Sequence, residues 1–372
     1  MSAPLVLKVG TSTLTGGSGR LQSERMQALV DLALQLRQQD RPVVLVSSGA
    51  VAAGREALAQ TGVAADWQKL AGQVPVKQML AAVGQPLLLA RFQQAAAAQG
   101  ASVAQILLSR SDLERRGSWL NARNTLRALL DAGLLPIVNE NDSVATEELR
   151  FGDNDRLSAL VATLVDARQL VLLTDQDGLY DAHPGKVAEA RLVLEVAGPV
   201  SAELRAAAGG TEGQGTGGMA SKLQAADLAR RAGIEVLICH GARLERLPAL
   251  LQGQPERGTV LRALGDRLEA RKRFLLGALD AGSIEVDAGA EQALRQGRSL
   301  LPVGVRGCQG EFGRGDLLRI IDQQGQDLAR GVVNYGAADL RRIAGRRSDE
   351  IEALLGYHYG DVVVHRNDLV VL

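Results

Sequence analysis

The chain is poor in the residues from which many catalytic and metal sites are built. Its four histidines stand at positions 183, 240, 358 and 365. That scatter supports no zinc site, because zinc ligands come in closely spaced sets. It has two cysteines, Cys239 and Cys308, in unrelated contexts, so no disulfide framework is expected. Cys239 ends the apolar run "VLIC" and reads as a small buried hydrophobe. The formal net charge is zero, which removes the electrostatic argument for nucleic acid or an anionic membrane as partner. No apolar run approaches the roughly 18–20 residues of a membrane span. The opening "MSAPLVLKVG" lacks the basic and long apolar regions of a signal peptide. A cytoplasmic protein with no membrane partner is expected.

What is present reads as a globular chain with a sizeable core. Hydrophobic residues make up 46% and charged residues 23% of the 372, a length that fits two domains. Six short apolar runs punctuate the first 240 residues: "PLVLKV" (4–9), "PVVLVS" (42–47), "VAQILL" (103–108), "LLPIVN" (134–139), "QLVLLT" (169–174) and "IEVLIC" (234–239). With little polar alternation, they read as strands buried on both faces of a mainly parallel sheet. Helical patterns lie between them. Ser23 is a candidate N-cap for a helix that presents Met26, Leu29, Val30, Ala33 and Leu36. Residues 76–99 form a second pattern, with a proline expected to kink it, and 121–133 and 155–167 follow. The alternation predicts a three-layer αβα sandwich, with ligands beyond the carboxyl ends of its strands. After about Leu261 the runs become short and strand-like ("SIEVD", "SLLPVGV", "DLLRIID", "DLARGVVNY", "DVVVH"), with one or two helices among them. The expected division is an α/β domain over 1–262, a charged connector over 263–279 and a small mainly-β domain over 280–372.

The unusual polar residues of the α/β domain lie just after the strands. Lys8 interrupts the first apolar run, where a lysine is costly unless paired. It is either a snorkelling side chain on an edge strand or an anion ligand. "SSGAVAAG" (47–54) reads as a turn opening a helix, with backbone N–H groups of Ser48, Gly49 and their neighbours available to an anion. The G-x-S-x-G spacing of a serine nucleophile fails at both Ser47 and Ser48, and the first histidine comes only at 183, so Ser48 reads better as a hydrogen-bond donor than as a nucleophile. "NENDS" (139–143) and "GDNDRLSA" (152–159) gather Asn139, Glu140, Asn141, Asp142, Asp153, Asn154 and Asp155. Asn154 or Asp155 is a plain helix cap on one reading. On the other, the two clusters bind an amine, a metal or a polar substrate; the EF-hand spacing is absent. Thr174 and Asp175 follow the fifth run, as ligand contacts or as part of an ordinary Asp-Gly turn.

"GTGGMASK" (215–222) raises the question of a phosphate loop. Gly213 and Gly218 have Walker A spacing, yet Met219 stands where the lysine belongs and no strand precedes the loop. A well-patterned helix begins within the stretch, which puts Lys222 in a first helical turn. A cation there opposes the helix dipole by about 0.3–1 kcal/mol, and a bound phosphate would reverse that penalty.

Together, "LKVGTS", "SSGAVAAG", "LNARNTLRALL", "NENDSV", "GDNDRLSAL", "LLTDQDGLY" and "GTGGMASKLQAADLARRAG" closely resemble the glutamate 5-kinases of the amino acid kinase superfamily. "LLPVGV", "RRIAG" and "YGDVVVHRND" resemble the PUA domain that many bacterial members carry. The resemblance spans almost the whole chain. It implies the amino acid kinase fold and ATP-dependent phosphorylation of the L-glutamate γ-carboxylate, with Mg²⁺, as the first step of proline synthesis. It further implies that Lys8 and Lys222 neutralise the transferring phosphoryl group and that Asp155 organises them. Ser48, Gly49, Asn139, Asp142 and Asn154 correspond to substrate-binding positions. Lys8, Thr174, Asp175 and the run Thr216, Gly217, Gly218, Met219, Ala220, Ser221 and Lys222 correspond to nucleotide-binding positions. Feedback inhibition by proline, a homo-oligomer (dimer or tetramer) and glutamate-5-semialdehyde dehydrogenase as a partner are also family expectations. No metal ligand is assigned. From Ala263 to Leu372 the tail holds 15 Lys and Arg against 16 Asp and Glu, so RNA binding by a near-neutral domain with few aromatics is not expected.

Overall fold

The computed structural model describes residues 2–61, 73–144, 154–209, 218–254, 256–266 and 280–372. The chain divides into two compact units, Met1–Leu113 with Ala122–Asp266, and Glu114–Asn121 with Arg267–Leu372. Up to Asp266 the elements run β1 (Leu5–Val9), α1 (Thr11–Thr15), α2 (Ser23–Gln38), β2 (Val43–Ser47), α3 (Ala50–Thr61), α4 (Val74–Ala97), β3 (Val103–Leu108), α5 (Arg110–Glu114), α6 (Arg116–Asp131), β4 (Leu135–Glu140), α7 (Asn154–Leu164), β5 (Gln169–Thr174), β6 (Glu195–Val196), α8 (Ala202–Ala207), α9 (Met219–Arg231), β7 (Glu235–His240), α10 (Leu247–Leu251) and β8 (Thr259–Leu261). Each of the six apolar runs is a strand.

Among the described residues these strands form one eight-stranded sheet in the order β3-β4-β2-β1-β5-β7-β8-β6. All pairings are parallel except β7 with β8. Every residue of β1, β2, β4 and β5 is buried, as expected for parallel strands covered on both faces. Side chains alternate along a strand. Leu5, Leu7 and Val9 pack into one core with Met26, Leu29 and Val30 of α2 and with Leu88 and Phe92 of α4. Lys8 is therefore turned to the other face, where α7 packs against β1. β1 lies between β2 and β5, so Lys8 is not on an edge strand.

Two helical expectations need correction. Ser23 is the first residue inside α2; Gln22 holds the cap position and makes no side-chain cap bond. Asn154 and Asp155 likewise lie inside α7, where neither is its cap. The proline pattern is one continuous helix, α4, that runs through Pro86.

α3 and α4 meet backbone to backbone. A Cβ built on Gly54 would lie 1.9 Å from the Leu80 carbonyl oxygen, and one on Gly84 would lie 1.8 Å from that of Ala50. Only glycine permits this approach. It fixes where α3 begins, directly after Ser48 and Gly49. Gly49 itself has φ +111°, a conformation that side-chain-bearing residues rarely adopt.

In the second unit, β9 (Ser283–Val286), α11 (Ala288–Arg295), β10 (Val305–Gln309), β11 (Leu317–Ile321), β12 (Asp327–Val333), α12 (Ala337–Ile343), α13 (Ile351–Leu355) and β13 (Val364–Val371) follow. The strands form a five-stranded sheet in the order β10-β9-β11-β12-β13. β9 and β11 pair in parallel and the other pairs are antiparallel. Among the described residues from Asp280 to Leu372, three α-helices stand where one or two were expected. "SLLPVGV" is mostly not a strand: Pro302–Gly304 form a 3₁₀ turn, as suits a proline that offers no N–H to a ladder. Ile284, Leu318, Ile320, Val333, Leu340 and Val364 share the core.

Replacing Gly84 with alanine should lower stability by roughly 3 kcal/mol, the upper range for overpacking, because the obstructing atom is backbone. Urea unfolding of wild type and variant measures this. Cys239 is buried, and burial pushes its thiol up to about 12. It should resist thiol reagents at pH 8 until the chain is denatured, which a colorimetric thiol titration reads.

Candidate active site

The parallel strands β1, β2, β4, β5 and β7 end on one side of the sheet, and the polar residues expected at strand ends converge there in two clusters. The first is ionic. Asp155, fully buried in the first turn of α7, sits between two lysines from different elements. Its Oδ1 is 2.6 Å from Lys8 Nζ on β1. Its Oδ2 is 3.2 Å from Lys222 Nζ in the first turn of α9. Ser221 Oγ donates to the same Oδ2 at 2.8 Å. Lys8 and Lys222 are 2% and 5% exposed, so both ammonium groups are held out of bulk water beside a carboxylate. Desolvation makes such ions costly one by one, and removing one partner of a buried pair costs about 3–5 kcal/mol. The dipole conflict expected for Lys222 is thus offset within the chain, by a carboxylate supplied from α7.

The second cluster is an amide relay. Asn154, 8% exposed, directs its Nδ2 to the Ser47 carbonyl at 2.8 Å, to Ser48 Oγ at 3.0 Å and to Asn139 Oδ1 at 2.8 Å. Asn139 Oδ1 also accepts the Glu140 backbone N–H at 2.9 Å. Asn139 Nδ2 donates to Gln85 Oε1 on α4 at 2.7 Å. Backbone groups fix both amide orientations, because a carbonyl only accepts and an N–H only donates. Asn154 Oδ1 is consequently turned away from these partners and is buried without a hydrogen-bond partner among the described residues. An acceptor in that state is expensive unless a ligand satisfies it.

The other expected residues lie at neighbouring strand ends. Asp142 sits half-buried on the turn after β4. Thr174 ends β5, buried, with its hydroxyl 3.1 Å from Asp175 Oδ1, and Asp175 is exposed. Gly218 occupies the N-cap of α9 and forms no side-chain cap. Met219, Ala220 and Ser221 are the first three residues of that helix, whose opening N–H groups have no intrahelical acceptor. Gly49, with the backbone conformation given above, is followed at once by the first residue of α3. Thr216 and Gly217 lie outside the described residues, as does Asp153. Ser47 and Gln85 were not anticipated. Ser47 contributes through its carbonyl, which leaves no mark on residue type, and Gln85 lies in a helix remote in sequence from the strand ends.

Among the described residues, no group of three His, Cys, Asp or Glu side chains is placed to hold a metal ion. No helix is long and apolar enough to cross a membrane, again among the described residues.

The comparisons with known proteins agree with this architecture. Residues 3–240 match the family described as "Amino acid kinase family", and residues 282–355 match "PUA domain". The chain is 48% identical over 372 residues to the glutamate 5-kinase of Klebsiella pneumoniae (strain 342), covering 100% of this chain and 99% of that one. It is 48% identical over 371 residues to the glutamate 5-kinases of Shigella flexneri and of Escherichia coli O1:K1 / APEC, with 99% of each chain covered. With a family match over most of its length and full-length relatives at 48% identity, the chain belongs to the amino acid kinase family, among its glutamate 5-kinases, with a PUA domain after the kinase domain.

Proposed function

We propose that the chain transfers the γ-phosphoryl group of ATP to the γ-carboxylate of L-glutamate, the first step of proline synthesis from glutamate. The carboxylate of Asp155 bridging Lys8 and Lys222 at the strand ends carries this reading. The names of the full-length relatives support the substrate. A γ-carboxylate is already ionised near neutral pH, so the nucleophile needs no general base. The scarcity of histidine near the site is then no obstacle. What the reaction needs is positioning and neutralisation of charge on the phosphoryl oxygens. An ammonium group has three donors, and Asp155 orients those of Lys8 and Lys222 so that each lysine also reaches the phosphoryl group. Asp155 acts as their organiser and not as a base. The opening N–H groups of α9, at Met219 to Ser221 behind Gly218, suit a phosphate. The nucleotide also reaches Thr174, Asp175, Thr216 and Gly217.

L-Glutamate occupies the pocket formed by Ser48, Gly49, Asn139, Asp142 and Asn154. There the buried Asn154 Oδ1 accepts from its α-ammonium group. Mg²⁺ is carried by the nucleotide's own phosphates and supplies further neutralisation of charge there. Proline as feedback inhibitor, a homo-oligomer and delivery of the acyl phosphate to glutamate-5-semialdehyde dehydrogenase belong to the same reading. A kinase domain over 1–262, a connector over 263–279 and a PUA domain over 280–372 complete it.

A hydroxamate assay with ATP, Mg²⁺ and a panel of acidic amino acids tests the substrate. Glutamate-dependent hydroxamate is expected, and product from a different acid alone would point to another amino acid or carbamate kinase. Lys222→Ala should lower kcat by at least about a hundredfold, the scale of one charge-stabilising group. Its fold should survive, because Lys8 and Ser221 still hold Asp155, and a thermal melt checks this. Asp155→Ala should lose activity and also about 3–5 kcal/mol of stability, since two buried ammonium groups lose their shared carboxylate; denaturant unfolding reads the difference. Asn154→Ala should raise the KM for glutamate while leaving that for ATP near wild type, as initial-rate kinetics would show.

A further inference from the structure

We infer that Gln85 is a positioning residue for the amino-acid substrate, acting through Asn139 and Asn154. The inference rests on the reading of that pocket as the glutamate site. Asn139 has its Oδ1 committed to two donors, the Glu140 N–H and Asn154 Nδ2. Its Nδ2 must then find an acceptor on the opposite side, and Gln85 Oε1 supplies it at 2.7 Å. Asn139 is 1% exposed, so water is a poor substitute there. Without that acceptor, the Asn139 amide gains by rotating toward another oxygen. Rotation withdraws Oδ1 from Asn154, which keeps its bond to the Ser47 carbonyl but loses one of the acceptors that hold its amide plane, so its buried Oδ1 is aimed less firmly at the ligand.

Gln85 reaches this network because of the glycine contact described above. Gly84, its neighbour, lies against the backbone of α3, which seats α4 close enough for a glutamine to span to β4. A relay of this kind makes the helix that packs on α3 part of substrate recognition, although none of its side chains needs to touch the substrate.

The test is a double-mutant cycle, since residues in one hydrogen-bond network do not act additively. Gln85→Met keeps the side-chain length and removes the acceptor. We expect it to raise the glutamate KM about tenfold, with a smaller change in kcat and an unchanged ATP KM. In the Asn154→Ala background the same substitution should raise the glutamate KM by less than twofold, because its route to the substrate is already cut. Glutamate-dependent thermal stabilisation of the same four proteins, without ATP, reads the pocket independently of the reaction. An unchanged glutamate KM in Gln85→Met, equal effects on both substrates, or full additivity with Asn154→Ala would overturn the inference. If wild type is stabilised by glutamate but forms no hydroxamate, the proposed reaction fails while the melts still decide the relay. If glutamate neither stabilises nor reacts with wild type, both fall.

Discussion

The structure of the kinase domain depends on one carboxylate. Asp155 bridges a lysine of the central strand and a lysine at the head of α9, so three elements far apart in sequence are tied at a single buried point. Each ion alone is a liability in a poorly solvated interior. Together they compensate one another and hold one another in place, and they sit where a parallel sheet presents its ligand-binding end. Strand alternation decides which face Lys8 takes, the helical first turn decides where Asp155 and Lys222 project, and the ionic contact closes the arrangement.

Beside this ionic point lies a neutral one with a different logic. The Asn154–Asn139–Gln85 relay is oriented by backbone groups at Ser47 and Glu140, whose polarity cannot be reversed. Among the described residues it leaves the Asn154 Oδ1 acceptor without a partner. The ionic cluster suits a phosphoryl group and the relay suits an amino acid. Asn154 and Asp155 are adjacent in the chain, so one helix start brings the two halves of the site together. The close crossing of α3 and α4 at Gly54 and Gly84 places Gln85 of α4 within reach of Asn139.

Much of this was legible in the sequence because it rests on local rules. Unbroken apolar runs separated by helical patterns announced the parallel sheet, and polar residues after each run announced the strand ends. The stretch "GTGGMASK" was separated from a Walker loop by the position of its lysine, and Lys222 lies in the first turn of α9. Other features were misread where tertiary context overrode a local signal. Ser23 looked like a cap, yet the helix starts on it. Asn154 and Asp155 also had cap character, but their side chains are drawn to the sheet by Ser47 and by the lysines. "SLLPVGV" had strand composition, and its proline turned the chain instead. Gln85 and the Ser47 carbonyl carried no signal, because a glutamine in a helix is ordinary and a backbone group is the same at every position.

By itself the sequence determined the alternation of strands and helices, the glycines that permit a close helix crossing, and the presence of two lysines and an aspartate at the ends of elements. These follow from periodicity, steric freedom and residue chemistry, which act over a few residues. Only the tertiary structure decided that Lys8 is interior and not on an edge, that both lysines share one carboxylate, and that a helix residue at position 85 completes an amide chain begun at Ser47. Those outcomes depend on strand order and on helix packing, which bring residues more than a hundred positions apart to within hydrogen-bond distance.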